Sequence, residues 1–163
     1  MAKRKSMQDD VCPVARSLDL VGDRWSLLLV RDAFDGIRRF SDFQRNLGVA
    51  RNILSDRLAT LVEAGVLAVQ PASDGTAYQE YVLTAKGESL FPVVVALRQW
   101  GERQLFAPGE PHSQLLTADT RQPLAPMLPS NAAGQVVQSH DTFVNKLPHS
   151  NCLLYTSPSP RDS

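Results

Sequence analysis

Apolar side chains recur with a helical period between residues 50 and 64 and predict an amphipathic helix. The apolar stripe consists of Leu54, Leu58, Leu61 and Val62. The opposite face carries short or polar side chains, which can approach base edges and phosphates. They are Arg51, Asn52, Ser55, Asp56 and Ala59. The pattern therefore predicts a helix that packs on a core with one face and offers the other to solvent or to a partner.

A shorter helix precedes it, with Phe43 and Leu47 on one side. Ser41 is the predicted N-cap, because its side chain can accept a free backbone N–H bond. Gly48 is the predicted end, since glycine readily adopts positive φ. A short helix, a glycine turn and a longer helix with a polar face are typical of a helix-turn-helix. Many other helical domains also join two amphipathic helices through glycine, so this pattern alone does not establish DNA binding.

A β-hairpin is predicted directly after the second helix. Residues 66–69 and 79–83 read as strands, and Ser73, Asp74 and Gly75 form a turn signal between them. Residues 37–40 are β-permissive and are expected to pair with the hairpin as a third strand. The predicted fold class is mainly α with a small β wing, a winged helix-turn-helix.

Three further helices are predicted around this motif. Pro13 suits the first position of a helix that continues over residues 14–21. Asp23 is expected to cap a helix over residues 24–34, whose predicted buried side is Trp25, Leu28, Leu29 and Ala33. Thr84 is expected to cap a helix from Ala85 towards residue 105, which Pro92 would kink or interrupt unless it lies in a first turn.

The chain resembles the HxlR-type winged-helix transcriptional regulators, which are relatives of the MarR group. The resemblance runs from Asp10 to Phe106 and is carried by motifs in the same order and spacing. They are Cys12-Pro13, GDRWSLLLVRD from Gly22, RRFSDFQ from Arg38, ILSDRLATLVEAGVL from Ile53, YVLTAKGESLFPVV from Tyr81 and the Trp100-Gly101-Glu102 end. The resemblance implies a dimeric, bacterial-type DNA-binding regulator whose homodimer interface uses the helices from Pro13 and from Ala85.

The predicted partner is double-stranded DNA, read in the major groove by helix 50–64. The expected DNA-binding residues are Arg39, Ser41, Arg45, Arg51, Asn52, Ser55, Asp56 and Arg57. Two positions depart from the pattern. Ala50 stands where many relatives of the family have Ser. The wing tip carries Asp74 and no Lys or Arg, although the minor groove attracts basic side chains. A wing that only braces the helices is therefore an open alternative.

The composition narrows the function further. The 163 residues carry no net charge, but five arginines against two aspartates between residues 37 and 57 make a local basic excess. We find no apolar span, secretory signal, catalytic motif or metal-ligand spacing, so we expect a cytoplasmic protein that is not an enzyme and needs no cofactor or metal. The rival hypothesis is a winged-helix module that binds protein instead of DNA.

Cys12 lies at the start of the first predicted helix, where a helix N-terminus favours the thiolate. We interpret it either as a candidate redox-sensing residue, answering an oxidant or another small effector, or as a small side chain packed in the core. Two cysteines at opposite ends of the chain do not indicate a disulfide framework.

Four segments are predicted. They are a mobile basic arm at 1–10, the DNA-binding and dimerisation domain at 11–106, a C-terminal extension with a small β hairpin at 107–148, and a tail at 149–163. The tail is Ser/Pro-rich and resembles translated vector sequence, so Cys152 is discounted as a functional thiol.

Overall fold

The predicted order of helices and wing strands is present. In the computed structural model, which describes residues 5–147, the elements are α1 (Pro13–Val21), α2 (Ser26–Phe34), α3 (Phe40–Leu47), α4 (Arg51–Glu63), β1 (Leu67–Pro71) and β2 (Gln79–Leu83). The two strands are antiparallel, with Leu67 opposite Leu83 and Pro71 opposite Gln79. This confirms a winged helix-turn-helix. The described residues form two units, 5–89 with 144–147 and 90–143, and each is described by itself.

The core of the first unit surrounds α2, which contacts α1, α3, α4 and β2. Its most deeply buried apolar side chains are Leu29, Val30, Phe43, Leu54, Leu58, Leu61, Val66 and Leu67. Burying one such side chain stabilises the fold by about 1.5–3 kcal/mol. The leucine stripe of α4 therefore anchors that helix to the core and fixes which of its faces remains outside.

The start of α2 lies two residues later than predicted. The N-cap position is occupied by Trp25 and not, as predicted, by Asp23. The Asp23 carboxylate nevertheless caps backbone N–H groups at the helix start, accepting hydrogen bonds from Trp25 at 2.9 Å and Ser26 at 3.0 Å. The buried side of α2 also differs from the prediction, since Trp25 is only half-buried. The fully buried positions are Ser26, Leu29, Val30 and Asp32.

Two predictions at the start of α3 are wrong. Ser41 is not the N-cap, because the helix begins at Phe40 and the extended residue Arg39 occupies the cap position. Residues 37–40 also form no third strand, because helical geometry begins at Phe40 and leaves too few extended residues. One backbone hydrogen bond remains between this segment and the wing, from the Tyr81 N–H to the Arg38 carbonyl at 2.8 Å. Gly48 ends α3 with a φ of 62°, as predicted.

The helix predicted from Ala85 is divided into two. Thr84 caps α5 (Ala85–Glu88), and its hydroxyl oxygen accepts the Gly87 N–H at 3.1 Å. A new helix, α6 (Phe91–Gln104), then begins with Pro92 in its first turn. Proline is tolerated there, because the first N–H groups of a helix have no acceptor within the helix.

The second unit consists of α6 and residues 105–143. The predicted β hairpin is absent from the described part of the extension. Two isolated antiparallel bridges, Leu116 to Pro123 and Ser130 to Val136, take its place. Proline has no N–H to donate to a strand ladder, and this segment is rich in proline. The Gln99 side chain instead holds the extension, donating to the Ala125 carbonyl at 3.0 Å and accepting the Met127 N–H at 2.7 Å.

Part of the predicted N-terminal arm contacts α1. Asp19 accepts a hydrogen bond from the Ser6 hydroxyl at 3.3 Å and another from the Met7 N–H at 3.1 Å. Residues 1–4 of the arm and the predicted tail at 149–163 lie outside the described residues.

Candidate nucleic-acid interface

The outer face of α4 is exposed along its N-terminal half. Arg51, Asn52, Ser55 and Asp56 are all exposed, while Leu54 and Leu58 on the other side are each 1% exposed. The two faces thus lie as the periodicity predicts. A polar helix face of this kind matches the recognition helix of a helix-turn-helix in shape and chemistry.

Arg51 lies at the N-terminus of α4 and leans on α3. Its guanidinium carbon is 5.1 Å from the centre of the Phe40 ring, which is cation–π distance. Within the described part of the chain Arg51 forms no ion pair. The contact with Phe40 therefore orients the side chain without using the hydrogen bonds that it can donate.

Arg57 is bound within the protein. It donates to Asp56 at 2.6 Å and lies 3.4 Å from the Asp23 carboxylate that caps α2. The hydrogen bond to Asp56 raises the pKa of Arg57, and the charge of Asp23 adds to this effect. Hydrogen bonds from Ser26 and Trp25 lower the pKa of Asp23 against the opposing effect of burial. Arg57 therefore ties α4 to the start of α2.

Arg45 and Ser41 lie on α3. The Arg45 side chain is 77% exposed, and its nearest acceptor is Asp42, one turn away at 3.2 Å. Exposed pairs of this kind contribute about 0–1 kcal/mol, so Arg45 can leave Asp42 at little cost. Ser41 is exposed in the first turn of the helix. Both residues line a groove that also includes Arg39 and Arg51 and reaches the wing at Tyr78.

Arg39 reaches the tip of the wing. One of its terminal nitrogens donates to the Asp74 carboxylate, and the guanidinium lies 5.2 Å from the centre of the Tyr78 ring. Asp74 also accepts hydrogen bonds from the Thr76 hydroxyl at 2.7 Å and the Thr76 N–H at 3.0 Å. These bonds from Thr76, with that from Arg39, lower the pKa of Asp74 to about 2.

Sequence reasoning missed the wing residues that hold these arginines. In addition to Asp74, the wing supplies Glu80, which is only 4% exposed. One oxygen of Glu80 accepts the Ser73 N–H at 3.2 Å, and the other lies 3.6 Å from Arg38. Burial would raise the pKa of Glu80, but the hydrogen bonds from the Ser73 N–H and hydroxyl, with the nearby charge of Arg38, outweigh it and the pKa is lowered. The only signal in the sequence that could have indicated these contacts was Asp74, the unexpected acidic residue at the wing tip.

Cys12 lies at the N-terminus of α1 and is 5% exposed. It is disulfide-bonded, so it does not carry the free thiolate that the sequence analysis considered. The nearby Arg16 donates a hydrogen bond to the Asp10 carbonyl. Cys152 lies outside the described residues.

Residues 5–147 show neither a metal-binding cluster nor a membrane-spanning helix. No group of three or more His, Cys, Asp or Glu side chains there is placed to hold a metal ion. None of the helices in that range has both the length and the apolar character needed to cross a bilayer.

This chain is similar to proteins described as transcriptional regulators. An uncharacterised HTH-type transcriptional regulator of Mycobacterium tuberculosis is 47% identical over 102 residues, which span 63% of this chain and 65% of that protein. The crystal structure of PA1607, a candidate transcription factor, is 48% identical and superposes with a TM-score of 0.83 over 87% of this chain and 99% of its own. The redox regulator HypR, in its reduced form, is 30% identical, with a TM-score of 0.52 over 58% of this chain and 96% of its own.

The family profile described as HxlR-like helix-turn-helix matches residues 20–108, more than half of the chain. This stretch contains α3, α4 and the wing. It also contains the arginines described above, Arg39, Arg45, Arg51 and Arg57. The chain therefore belongs to the HxlR-like helix-turn-helix family.

Proposed function

We propose that the protein is a sequence-specific, DNA-binding transcriptional regulator whose α4 reads the major groove. The observation that carries the proposal is the exposed polar face of α4, directly after the Gly48 turn and opposite three buried leucines. The proposal is supported by the description of similar proteins as HTH-type transcriptional regulators. The proposed place of action is the cytoplasm, where a bacterial-type regulator meets its operator.

The roles of the side chains follow from their contacts. Arg51 and Asn52 are proposed to hydrogen-bond base edges, since Arg pairs well with guanine and Asn with adenine. Arg45 is proposed to contact phosphate, because it is largely exposed and weakly held. Ser41 and Ser55 can donate to phosphate or base oxygens. Asp56 is proposed to orient Arg57, which already binds it.

The proposed regulator is a homodimer. On α1, Val14 is 64% exposed and Leu18 is 52% exposed; on α6, Leu97 is 51% exposed and Trp100 is 53% exposed. Each of these helices thus exposes apolar surface of the kind that marks an interaction site. A two-fold dimer would present two copies of α4 to successive major grooves, about one helical turn apart.

The deciding experiment is the recovery of bound duplexes from a random pool by the native protein, followed by gel shifts across a salt series. A regulator of this kind selects a palindromic sequence, and the logarithm of its affinity falls linearly with the logarithm of the salt concentration as counterions are released. If no sequence is enriched and no duplex shifts at low salt, the DNA-binding proposal fails and a protein-binding module becomes the better account.

A redox effector is the proposed input, acting at Cys12. HypR is a redox regulator, and Cys12 is both disulfide-bonded and close to the start of α1. The affinity for the selected duplex should then differ between protein treated with dithiothreitol and protein treated with diamide. The difference should vanish in Cys12→Ser. Equal affinities in both treatments of the native protein would leave Cys12 with a packing role.

A further inference from the structure

A single arginine joins the wing tip to the helix-turn-helix. Arg39 precedes α3, and one of its terminal nitrogens contacts two groups of the wing, the Asp74 carboxylate and the Thr76 hydroxyl, the latter at 3.5 Å. The same guanidinium lies against the ring of Tyr78, which is 66% exposed. Asp74, Thr76 and Tyr78 of the wing thus hold Arg39, which the sequence analysis predicted to bind DNA.

The hydrogen bonds of Asp74 stabilise its charged form. Both the N–H and the hydroxyl of Thr76 donate to one of its oxygens, and Arg39 donates to the other. These bonds favour the carboxylate and lower the pKa of Asp74 to about 2, so the side chain is charged at neutral pH. Its stabilising contribution is present above the ordinary pKa of 3.8 and is lost as the pH falls through about 2, because the depressed pKa belongs to the folded state.

The pair changes how the wing meets DNA. Between residues 71 and 77 Asp74 is the only charged side chain, so an unpaired carboxylate there would repel the backbone of a duplex. Pairing with Arg39 neutralises it, but it also occupies an arginine that lines the groove beside α3 and α4. A phosphate can bind Arg39 only by displacing a carboxylate that already makes a charge-assisted hydrogen bond.

We propose that Asp74 competes internally with DNA phosphate for Arg39 and thereby lowers the sequence-independent affinity of the protein. Phosphate contacts strengthen binding to every sequence, whereas base contacts discriminate between sequences. Because Asp74 keeps one arginine in each protomer from binding phosphate, a larger share of the binding free energy comes from the face of α4 that contacts bases. This inference rests on the proposed DNA-binding function and assigns Asp74 as a residue that sets its sequence-independent affinity.

The test is Asp74→Asn. Asparagine keeps an oxygen that can accept the Thr76 N–H and so preserves the turn, but it removes the charge that binds Arg39. Affinity for both the selected duplex and a random duplex should rise about three- to tenfold at about 50 mM salt. The slope of the logarithm of affinity against the logarithm of salt should steepen by about one per protomer. The ratio of specific to random affinity should stay level, because a phosphate contact strengthens binding to both duplexes alike.

Asp119→Asn is the matched control, since Asp119 is an exposed aspartate in the C-terminal extension whose carboxylate accepts the Thr120 N–H at 2.7 Å. It changes the net charge equally and should leave the slope as in the native protein. A second comparison uses Arg39→Ala alone and combined with Asp74→Asn. Without Arg39 the gain from Asp74→Asn should shrink to that of the control, because no arginine is released.

The inference is overturned if Asp74→Asn binds DNA no more tightly than the native protein, or only as much more tightly as Asp119→Asn. It is also overturned if Asp74→Asn gains equally with and without Arg39. Failure of the proposed function is separate, since it appears as no enriched sequence with the native protein. Duplex binding by Asp74→Asn but not by the native protein would support the inference, and binding by neither would overturn it.

Discussion

At the scale of single residues, the arginines near α3 and α4 differ in what each one already contacts. Arg57 bridges Asp56 and Asp23, and Arg39 is held by the wing. Arg45 has only an exposed partner one turn away, and Arg51 rests on the Phe40 ring. The last two are therefore the arginines that a duplex can engage with the least rearrangement of the protein.

Replacing these two arginines should have different effects. Arg51→Ala is expected to cost about 1–3 kcal/mol of discrimination between the selected duplex and one altered at the contacted base. Arg45→Ala should weaken binding to all duplexes alike and reduce the salt slope by about one per protomer. Competition gel shifts with both duplexes measure the two effects. Native discrimination in Arg51→Ala would show that this side chain reads no base.

At the scale of elements, α4 begins without a side-chain cap. Ala50 has the extended geometry of an N-cap, with φ −61° and ψ 141°, but no side chain that accepts a hydrogen bond. The first N–H groups of the helix are thus left to water or to a bound anion. The element that carries the proposed recognition face is stabilised mainly by its buried leucines.

Ala50→Ser should raise the free energy of unfolding by roughly 1 kcal/mol, because serine can accept one of the free N–H groups. Urea denaturation measures the change. Ala59→Ser, at an exposed position inside the same helix, is the control and should be neutral or lower stability by up to about 0.5 kcal/mol. Equal effects of the two substitutions would mean that the start of α4 gains nothing from a cap.

The contact of α5 with the wing requires glycine at position 87. A Cβ added there would lie 2.2 Å from the Val66 carbonyl oxygen and 2.9 Å from Leu83 Cδ2. Gly87→Ala should therefore destabilise the protein by about 1–3 kcal/mol, as overpacking does. Gly101→Ala is the matched control, since a Cβ there meets nothing within 4 Å, and it should stabilise α6 by up to about 1 kcal/mol. Thermal unfolding of both variants checks the prediction, which fails if Gly87→Ala unfolds like the native protein.

At the scale of the whole molecule, α1 and α6 each expose apolar side chains, which are typical of an interaction surface. Their exposure motivates the proposed homodimer, in which each protomer supplies one recognition helix. Dimerisation would then set the spacing of the two half-sites that the protein selects.

Leu97→Glu should disrupt such a dimer, because an unpaired charge buried in an interface costs several kcal/mol. Sedimentation at micromolar concentration should show a dimer for the native protein and a monomer for this variant, with weaker binding to a palindromic duplex. Gln122→Glu adds the same charge at an exposed position in the C-terminal extension and should remain dimeric. A native protein that sediments as a monomer refutes the proposal.

Much of the fold could be predicted from the sequence, because the signals that determine it are local. The leucine repeat defined α4 and both of its faces, and the turn residues between strands defined the wing. Gly48 and Thr84 act where they were expected. Each of these depends on neighbours within a few residues, so backbone preference and periodicity were enough to identify it.

The tertiary structure decided what depends on residues far apart in the sequence. Folding brings Arg39 to Asp74 and Arg57 to Asp23, and these contacts determine which arginines remain available to DNA. Asp32, fully buried beside Asn46, became a core residue in the same way. The periodicity of a helix shows which face a side chain occupies. Its partner on another element depends on how the elements pack and on which charges that packing brings within hydrogen-bonding distance.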